Sequence, residues 1–282
     1  MKALTVFTPT FNRKDTLNRL YESLILQNDR EYFEWLVIDD GSEDGTESEI
    51  KKFIEEDKID IRYLRKENGG KPSAYNLALE TAESPLFFCV DSDDWLLPNA
   101  VAFIRANEKR LLNNKLLSGI AGRSADKYGN PLEKEYKKEF VSDTMRIRDV
   151  YKGKDKPEIM KTEMLKKFRF PIIEGEKFIT EAIVFDALTK EFPILYTNAL
   201  LMGKEYLKNG MTDRAVSLRL KNVKGTLMYY KQRVNLTETY FGKLKAKINY
   251  VRFQLHAGEK ITKYRYLIPI AKQLYKRDLT EE

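Results

Sequence analysis

One cysteine, one histidine and no long apolar run leave few chemistries open to these 282 residues. The single Cys89 excludes an intrachain disulfide, and its place inside the apolar run LFFCV reads as a buried core thiol. The single His256 leaves no material for sites built on several imidazoles and argues against Ser-His catalysis elsewhere in the chain. It lies in a basic, helical stretch and reads as an ordinary surface or half-buried residue. No stretch approaches eighteen apolar residues, so no membrane-spanning helix is expected. The apolar run in MKALTVFTPTFNR is too short for a secretory signal and ends at a proline, which sets the expectation of a cytosolic protein. In that setting the sequon Asn235-Leu236-Thr237 is a chance match. With thiols and imidazoles set aside, carboxylates must carry any metal or acid-base chemistry.

What is present describes a folded chain. Apolar residues make up 42% and aromatics 12%, spread along the whole length, enough for one large α/β domain and an appendage. The net charge of +7 is unevenly placed: residues 200–282 hold 18 Lys and Arg against 7 Asp and Glu, whereas residues 1–199 hold 32 against 36. A basic module on a slightly acidic body suggests an anionic partner.

Apolar spacing organises the first ninety residues as a repeat. A strand over 3–8 stops at Pro9, and a helix with Leu17, Leu20 and Leu24 on one face begins near Lys14. A second strand over 35–38, a helix over 47–57 and a third strand over 59–64 follow. Pro72 sits where a first helical turn tolerates proline, the helix continues over 74–82, and the run over 86–90 has the continuous apolarity of a strand buried on both faces. Four strands alternating with helices predict a mostly parallel sheet with right-handed crossovers. Further on, a strand is expected over 115–122, a polar mobile excursion over 123–157, helices over 157–167 and 180–188, and a short strand over 194–196. Two basic helical stretches follow from about residue 243.

Ligands of such sheets bind at the carboxyl ends of the strands. Those ends here are TPTFN, DDGS, NGGK and DSDD. Asp91, Asp93 and Asp94, with Ser92 among them, follow a buried strand and precede an apolar WLLP. So much like charge is costly unless a cation neutralises it, and hard Mn²⁺ or Mg²⁺ suits such oxygens. The bland reading is a solvated turn and helix cap, which Asp also favours. Asp39 and Asp40, followed by Gly41, close the second strand and carry the same ambiguity, reduced by their shared sheet edge with Asp91 and Asp93. Asn68, Gly69, Gly70 and Lys71 could cradle phosphate at a helix start. They do not form a Walker loop, since Arg65 stands where the first glycine belongs and Pro72 follows the lysine.

Taken in order and at these intervals, TPTFNR, VIDDGSEDGT, ENGGKPSAYNLAL and FFCVDSDDWL resemble the N-terminal half of family 2 glycosyltransferases of the GT-A fold. FPIIEGEKFITEAIVFDAL and EYLKNGMT resemble the second half of bacterial members acting on surface polysaccharides. The resemblance implies a GT-A catalytic domain over 1–221, with its donor half at about 1–110 and acceptor side at about 111–221, and a basic helical extension over 222–282. It implies that Thr8, Pro9, Thr10 and Asn12 line the nucleoside pocket and that Asp40 hydrogen-bonds the base. Asp91 would lie near the ribose, and Asp93 would bind a metal bridging the two phosphates. Lys71 and Asn76 match positions near the donor. The partners implied are a nucleotide-sugar donor, a UDP-sugar for preference, and a glycan or lipid-linked acceptor. Inverting members carry a carboxylate base about ninety residues after the DxD motif. Glu181 matches it best, with Glu176 and Glu174 as rivals because Ala182 replaces the second acid often found there; Asp94 is the other candidate acid-base residue. The basic extension is expected to dock on the anionic cytoplasmic leaflet, or else to pack on the body or pair two subunits. No nucleic-acid partner is expected, since it would leave the acidic strand ends unexplained. A nucleotidyltransferase would need an arginine-bearing, glycine-rich first loop that TPTFNRKD lacks, and a sugar-nucleotide hydrolase stays open.

Overall fold

The computed structural model describes residues 2–150, 156–205 and 215–280. Strands β1 (Leu4–Thr10), β2 (Phe33–Asp39), β3 (Ile61–Arg65) and β4 (Leu86–Cys89) alternate with helices α1 (Lys14–Ile25), α2 (Thr46–Glu55) and α3 (Lys71–Thr81). They pair in parallel in the order β3-β2-β1-β4. Each strand feeds two cores. Leu4, Val6, Trp35, Val37, Leu86 and Phe88 pack on one face of the sheet, and Phe7, Leu36, Ile38 and Phe87 on the other. Neighbouring strand residues point to opposite faces, so a strand covered on both sides reads as an unbroken apolar run.

Pro9 does not end β1 as expected. The carbonyls of Ala3 and Phe7 accept from β4 and its continuation, so odd-numbered residues of β1 face that neighbour. Position 9 lies past the last β1–β4 pair, Phe7 with Cys89, where a missing N–H deprives no ladder partner.

After β5 (Trp95–Leu96) and α4 (Ala100–Asn113), the chain forms β6 (Gly119–Ala125), β7 (Phe140–Ser142), α5 (Thr144–Val150), β8 (Glu158–Lys161), α6 (Thr162–Leu165), α7 (Ala182–Glu191) and β9 (Ile194–Gly203). The sheet continues from β4 through β8, β6 and β9, with β5 and β7 both on β9. β8 is antiparallel to β4 and β6, while β6 and β9 are parallel. This corrects the helix expected over 157–167: it is a strand followed by one helical turn. Ile159 and Met160 enter opposite cores, and four apolar-rich residues cannot distinguish that from a buried helical turn. The excursion over 123–157 is also more ordered than expected. β6 runs on to Ala125, buried Arg123 donates to the carbonyls of Asn198 and Glu133, and β7 and α5 follow; residues 151–155 lie outside the described residues.

Helices α8 (Ala215–Lys221), α9 (Val223–Leu236), α10 (Tyr240–His256) and α11 (Ile268–Thr280) complete the chain. The boundary expected after residue 221 falls between α8 and α9, and α9 packs on the α/β body. Tyr229 enters the second core, the Gln232 amide donates to the Ile183 carbonyl at 2.7 Å, and Arg233 pairs with Asp149. α10 stacks on α9 through Phe253 and Tyr230, whose ring centroids are 5.5 Å apart. Asp278 clamps α11 to α10 by accepting from Arg252 and lying 2.9 Å from His256 Nε2. Burial works against that carboxylate, but Arg252 and His256 hold it below the usual range. Among the described residues no helix is long and apolar enough to cross a membrane.

Candidate functional site

Because β1 to β4 run parallel, the loops that follow them rise from one edge of the sheet. Hydrogen bonds zip the first two loops together. Asn12 N donates to Ser42 Oγ at 2.8 Å, Glu43 N to Asn12 Oδ1 at 2.9 Å, and Lys14 N to Asp44 Oδ2 at 3.0 Å. Asn12 takes a left-handed φ of 51°, which asparagine tolerates better than most residues. Thr10 lies beneath, buried, with a hydroxyl that finds no partner among the described residues. Pro9 is half-buried beside it. Thr8 departs from expectation: its hydroxyl accepts from the Trp35 indole at 2.9 Å inside the core and does not face the loops.

The carboxylates of β2 are bound to the protein itself. Asp39 accepts from Ser42 N at 2.8 Å and Tyr63 OH at 2.7 Å, which holds the turn through Gly41. Asp40 accepts from Gly69 N at 3.0 Å, Gly70 N at 2.6 Å and Lys66 Nζ at 2.7 Å, and Asn68 Nδ2 donates to its carbonyl at 2.9 Å. Two expectations are thereby corrected. The Gly69 and Gly70 amides are spent on Asp40 rather than left to cradle phosphate, and Asp40, 4% exposed and accepting three hydrogen bonds, has little left for a nucleobase. Asn76 is tethered: its amide donates to the Phe170 carbonyl at 2.9 Å and accepts from Phe170 N at 3.0 Å, which leaves one N–H and one oxygen lone pair for another partner.

Gly70 explains how the second half of the chain reaches this edge. Its φ is +85°, and a Cβ there would lie 1.8 Å from the Lys177 carbonyl oxygen. Gly70→Ala is therefore expected to push the 171–181 loop off the sheet edge, lowering stability by about 2 kcal/mol or more through combined strain and overpacking. Urea unfolding would measure it, and an unchanged midpoint would show that the close approach is dispensable.

That approach brings Glu181 to the loop that holds Asp91 and Asp93. Lys71 Nζ lies 2.5 Å from Asp91 Oδ1 and 2.5 Å from Glu181 Oε1. The two acids keep 42% of their side-chain surface exposed and the lysine 23%, so the carboxylates face outward across the ammonium. Burial works to lower the lysine's pKa, but Asp91 and Glu181 outweigh it and the net direction is up. Asp91 moves the opposite way: burial opposes its charge, while Lys71 and then Lys204 and Arg13 hold it below the usual carboxylate range. The rival acids lie elsewhere. Glu176 caps α9, accepting from Lys224 N and Gly225 N at 2.8 Å each, and Glu174 is exposed on the loop.

Asp94 is buried and pushed up to about 7, first by burial, with Lys204 opposing and the charges of Asp91 and Asp93 adding. Its Oδ2 is 3.4 Å from Lys204 Nζ. Ser92 is buried between the acids. Asp93 is half-buried, and its carboxylate takes no hydrogen bond or ion pair among the described residues; Arg19, stacked 4.1 Å over Trp95, instead holds its carbonyl at 2.5 Å. No three His, Cys, Asp or Glu side chains among the described residues form a complete cage. An unengaged Asp93 beside a half-exposed Asp91 suits a hard cation that fills its shell with water and ligand oxygens, as Mg²⁺ does.

Sequence reasoning missed Arg19, Lys66 and Lys204, which tension the loops, and Phe11, which is 46% exposed at the tip of the first. Arg19 could have been suspected, since it falls off the Leu17-Leu20-Leu24 stripe of α1. Lys66 and Lys204 carry no local signal. Cys89, expected in the core, is half-buried at the end of β4, where burial pushes its thiol up.

The family model for glycosyl transferase family 2 matches residues 5–109. Poly(ribitol-phosphate) beta-N-acetylglucosaminyltransferase TarS of Staphylococcus aureus is 32% identical over 128 residues, 44% of this chain and 22% of that enzyme. GalNAc(5)-diNAcBac-PP-undecaprenol beta-1,3-glucosyltransferase of Campylobacter jejuni is 31% identical over 150 residues, 50% of this chain and 48% of that enzyme. The match thus spans less than half the length of either relative. The structure of S. aureus TarS 1–349 with UDP-GlcNAc superposes with a TM-score of 0.66 at 16% identity, covering 99% of this chain and 81% of that one. A mannosyltransferase of Pyrobaculum calidifontis with GDP-Man and Mn²⁺ gives 0.59 at 16%, covering 99% and 76%. Likeness at that identity concerns the fold, which is the GT-A fold.

Proposed function

Because residues 5–109 form a glycosyl transferase family 2 domain on a GT-A fold, we propose that the chain transfers a sugar from a nucleotide-diphosphate donor, a UDP-sugar, to a glycan or lipid-linked acceptor in bacterial surface-polysaccharide synthesis. The observation that carries this is the meeting of Asp91, Lys71 and Glu181, residues separated by up to 110 positions, at the carboxyl edge of the parallel strands. Support for the donor and acceptor classes comes from the UDP-GlcNAc bound by TarS and the undecaprenol diphosphate named for the Campylobacter enzyme.

In this reading Glu181 takes the proton from the acceptor hydroxyl as its oxygen forms the new bond to the anomeric carbon. The bond from that carbon to the diphosphate breaks on the opposite face, and the nucleoside diphosphate leaves with the electron pair, so the configuration inverts. Asp93, with Asp91, would hold a divalent cation, which when bound neutralises the charge on the leaving diphosphate. Lys71 supplies fixed positive charge at the same place. The Asn12 loop and the buried Thr10 frame the nucleoside, with Asp40 acting through the loop that it staples. We assign the donor half to about 1–110 and the acceptor side to the segment through α9.

Melting in the presence of nucleotides tests the reading. UDP with Mn²⁺ at about a hundred times its Kd should raise the melting temperature by about 5 °C or more, from roughly 2.7 kcal/mol of linkage, while ADP and GDP give smaller shifts. Equal shifts for all nucleotides would remove the base preference, and none at all would remove the donor site.

α10 and α11 are assigned to the anionic membrane surface that holds the acceptor. α10 begins with Tyr240 and Phe241, 76% and 80% exposed, followed by Lys243, Lys245 and Lys247. Aromatic rings with neighbouring lysines suit a headgroup boundary, each lysine contributing about 1 kcal/mol near anionic lipid. Phe241→Ser with Lys243→Gln should abolish co-sedimentation with phosphatidylglycerol vesicles at low salt. Binding that persists, or that is equal on neutral vesicles, would reject this placement in favour of helix packing or subunit pairing.

A further inference from the structure

Glu181 stands at the entry of α7, and its backbone carbonyl receives Val184 N and Phe185 N, but its carboxylate has one anchor among the described residues, Lys71. Lys71 in turn stands at the entry of α3, behind a glycine that packs on the Lys177 carbonyl, and has three N–H groups. One is donated to Asp91 Oδ1, and Glu181 Oε1 is held beside the same ammonium as an ion pair at 2.5 Å. The start of α3, the loop after β4 and the entry of α7 are thus tied by one ammonium. In this arrangement Glu181 is fixed in direction, with Oε1 directed at a cation rather than at an acceptor hydroxyl. Asp91 likewise has Oδ1 on the lysine, with 42% of its side-chain surface still exposed.

Resting on the donor reading above, we propose that Lys71 is a positioning residue that couples donor binding to the base. Without donor it holds Glu181 against Asp91. The diphosphate, with more negative charge on adjacent oxygens than one carboxylate, draws the ammonium to itself, and Glu181 is then released to face the acceptor. The N–H capacity of Lys71 that Asp91 does not use gives the diphosphate a first point of capture before either acid is let go. This device makes the base available only while a diphosphate occupies the site.

Carboxyl labelling with a water-soluble carbodiimide and glycine ethyl ester, read residue by residue by mass spectrometry, measures how free Glu181 is without requiring turnover. Glu174, exposed on the same loop, is the internal reference. Relative to Glu174, Glu181 should label slowly in the nucleotide-free protein and severalfold faster with saturating UDP and Mg²⁺. UDP is the probe because it brings the diphosphate and leaves the sugar space open. In Lys71→Met, Glu181 should label fast with or without UDP. Lys71→Arg keeps a cation there and should restore slow labelling, which separates lost anchoring from general loosening of the fold. Equal labelling of Glu181 in the wild type and Lys71→Met would overturn the anchoring. A wild-type rate unchanged by UDP that demonstrably raises the melting temperature would overturn the release while leaving the donor reading intact. Should UDP cause no melting shift, the donor reading falls and takes the release with it, and the Lys71→Met arm still decides the anchoring.

Discussion

Asp93→Ala is expected to lower kcat/KM by about a thousandfold and to remove the metal-dependent part of donor affinity. The residue is singled out by contrast with its neighbours. Asp91 is held by Lys71 and Asp94 faces Lys204, whereas the Asp93 carboxylate has no partner among the described residues although the loop around it is fixed by Arg19. A carboxylate held by its backbone and left without a counter-charge, next to two other acids, is costly unless something cationic arrives. Stabilising the charge of a leaving diphosphate is worth several kcal/mol, and about 4 kcal/mol corresponds to a thousandfold in rate. Calorimetry with UDP separates this from a folding defect. The wild type should bind more weakly in EDTA than in Mn²⁺, and Asp93→Ala should bind equally, and weakly, in both. If the wild type binds equally in both, no metal takes part in donor binding and Asp93 needs another role.

The first ninety residues of the fold were legible in the sequence because their strands are buried on both faces and their helices on one. Those two periodicities differ, and they alternate four times before residue 91. The sheet edge and its acids followed from that alternation. β8 was not legible: in EIMK two residues face opposite cores, and so short a run carries no period. Asp40 was legible as a site-edge residue but not as a staple. A carboxylate after a strand looks the same whether it accepts from backbone amides 29 and 30 residues later or from a bound base. The tether of Asn76 was illegible for the same reason, since its partner Phe170 is 94 positions away. Among Glu174, Glu176 and Glu181 the sequence favoured Glu181 through the resemblance alone. They occupy one loop, and what sets them apart physically is the α9 cap that takes Glu176 and the Lys71 ammonium that holds Glu181.

Glu181→Gln should leave UDP affinity nearly unchanged and reduce turnover by about 10² to 10⁴, the range that general-base catalysis contributes. The substitution keeps volume and hydrogen-bonding capacity, so the loop from 171 to 181 should stay seated on Gly70. The Lys71 ammonium then keeps Asp91 and an amide oxygen in place of the second carboxylate. Loss of one of two negative charges beside Lys71 slightly favours a diphosphate arriving there, so donor affinity is expected to hold or rise, and a fall would contradict the geometry. Glu176→Gln should behave in the opposite way. Its carboxylate receives two backbone N–H groups at the start of α9, where the helix dipole also favours negative charge. That variant should lose about 1 kcal/mol of stability and keep most of its turnover. The pair of measurements is decisive in either direction: an active Glu181→Gln beside an inactive but folded Glu176→Gln would move the base to Glu176 and require α9 to give up its cap during catalysis.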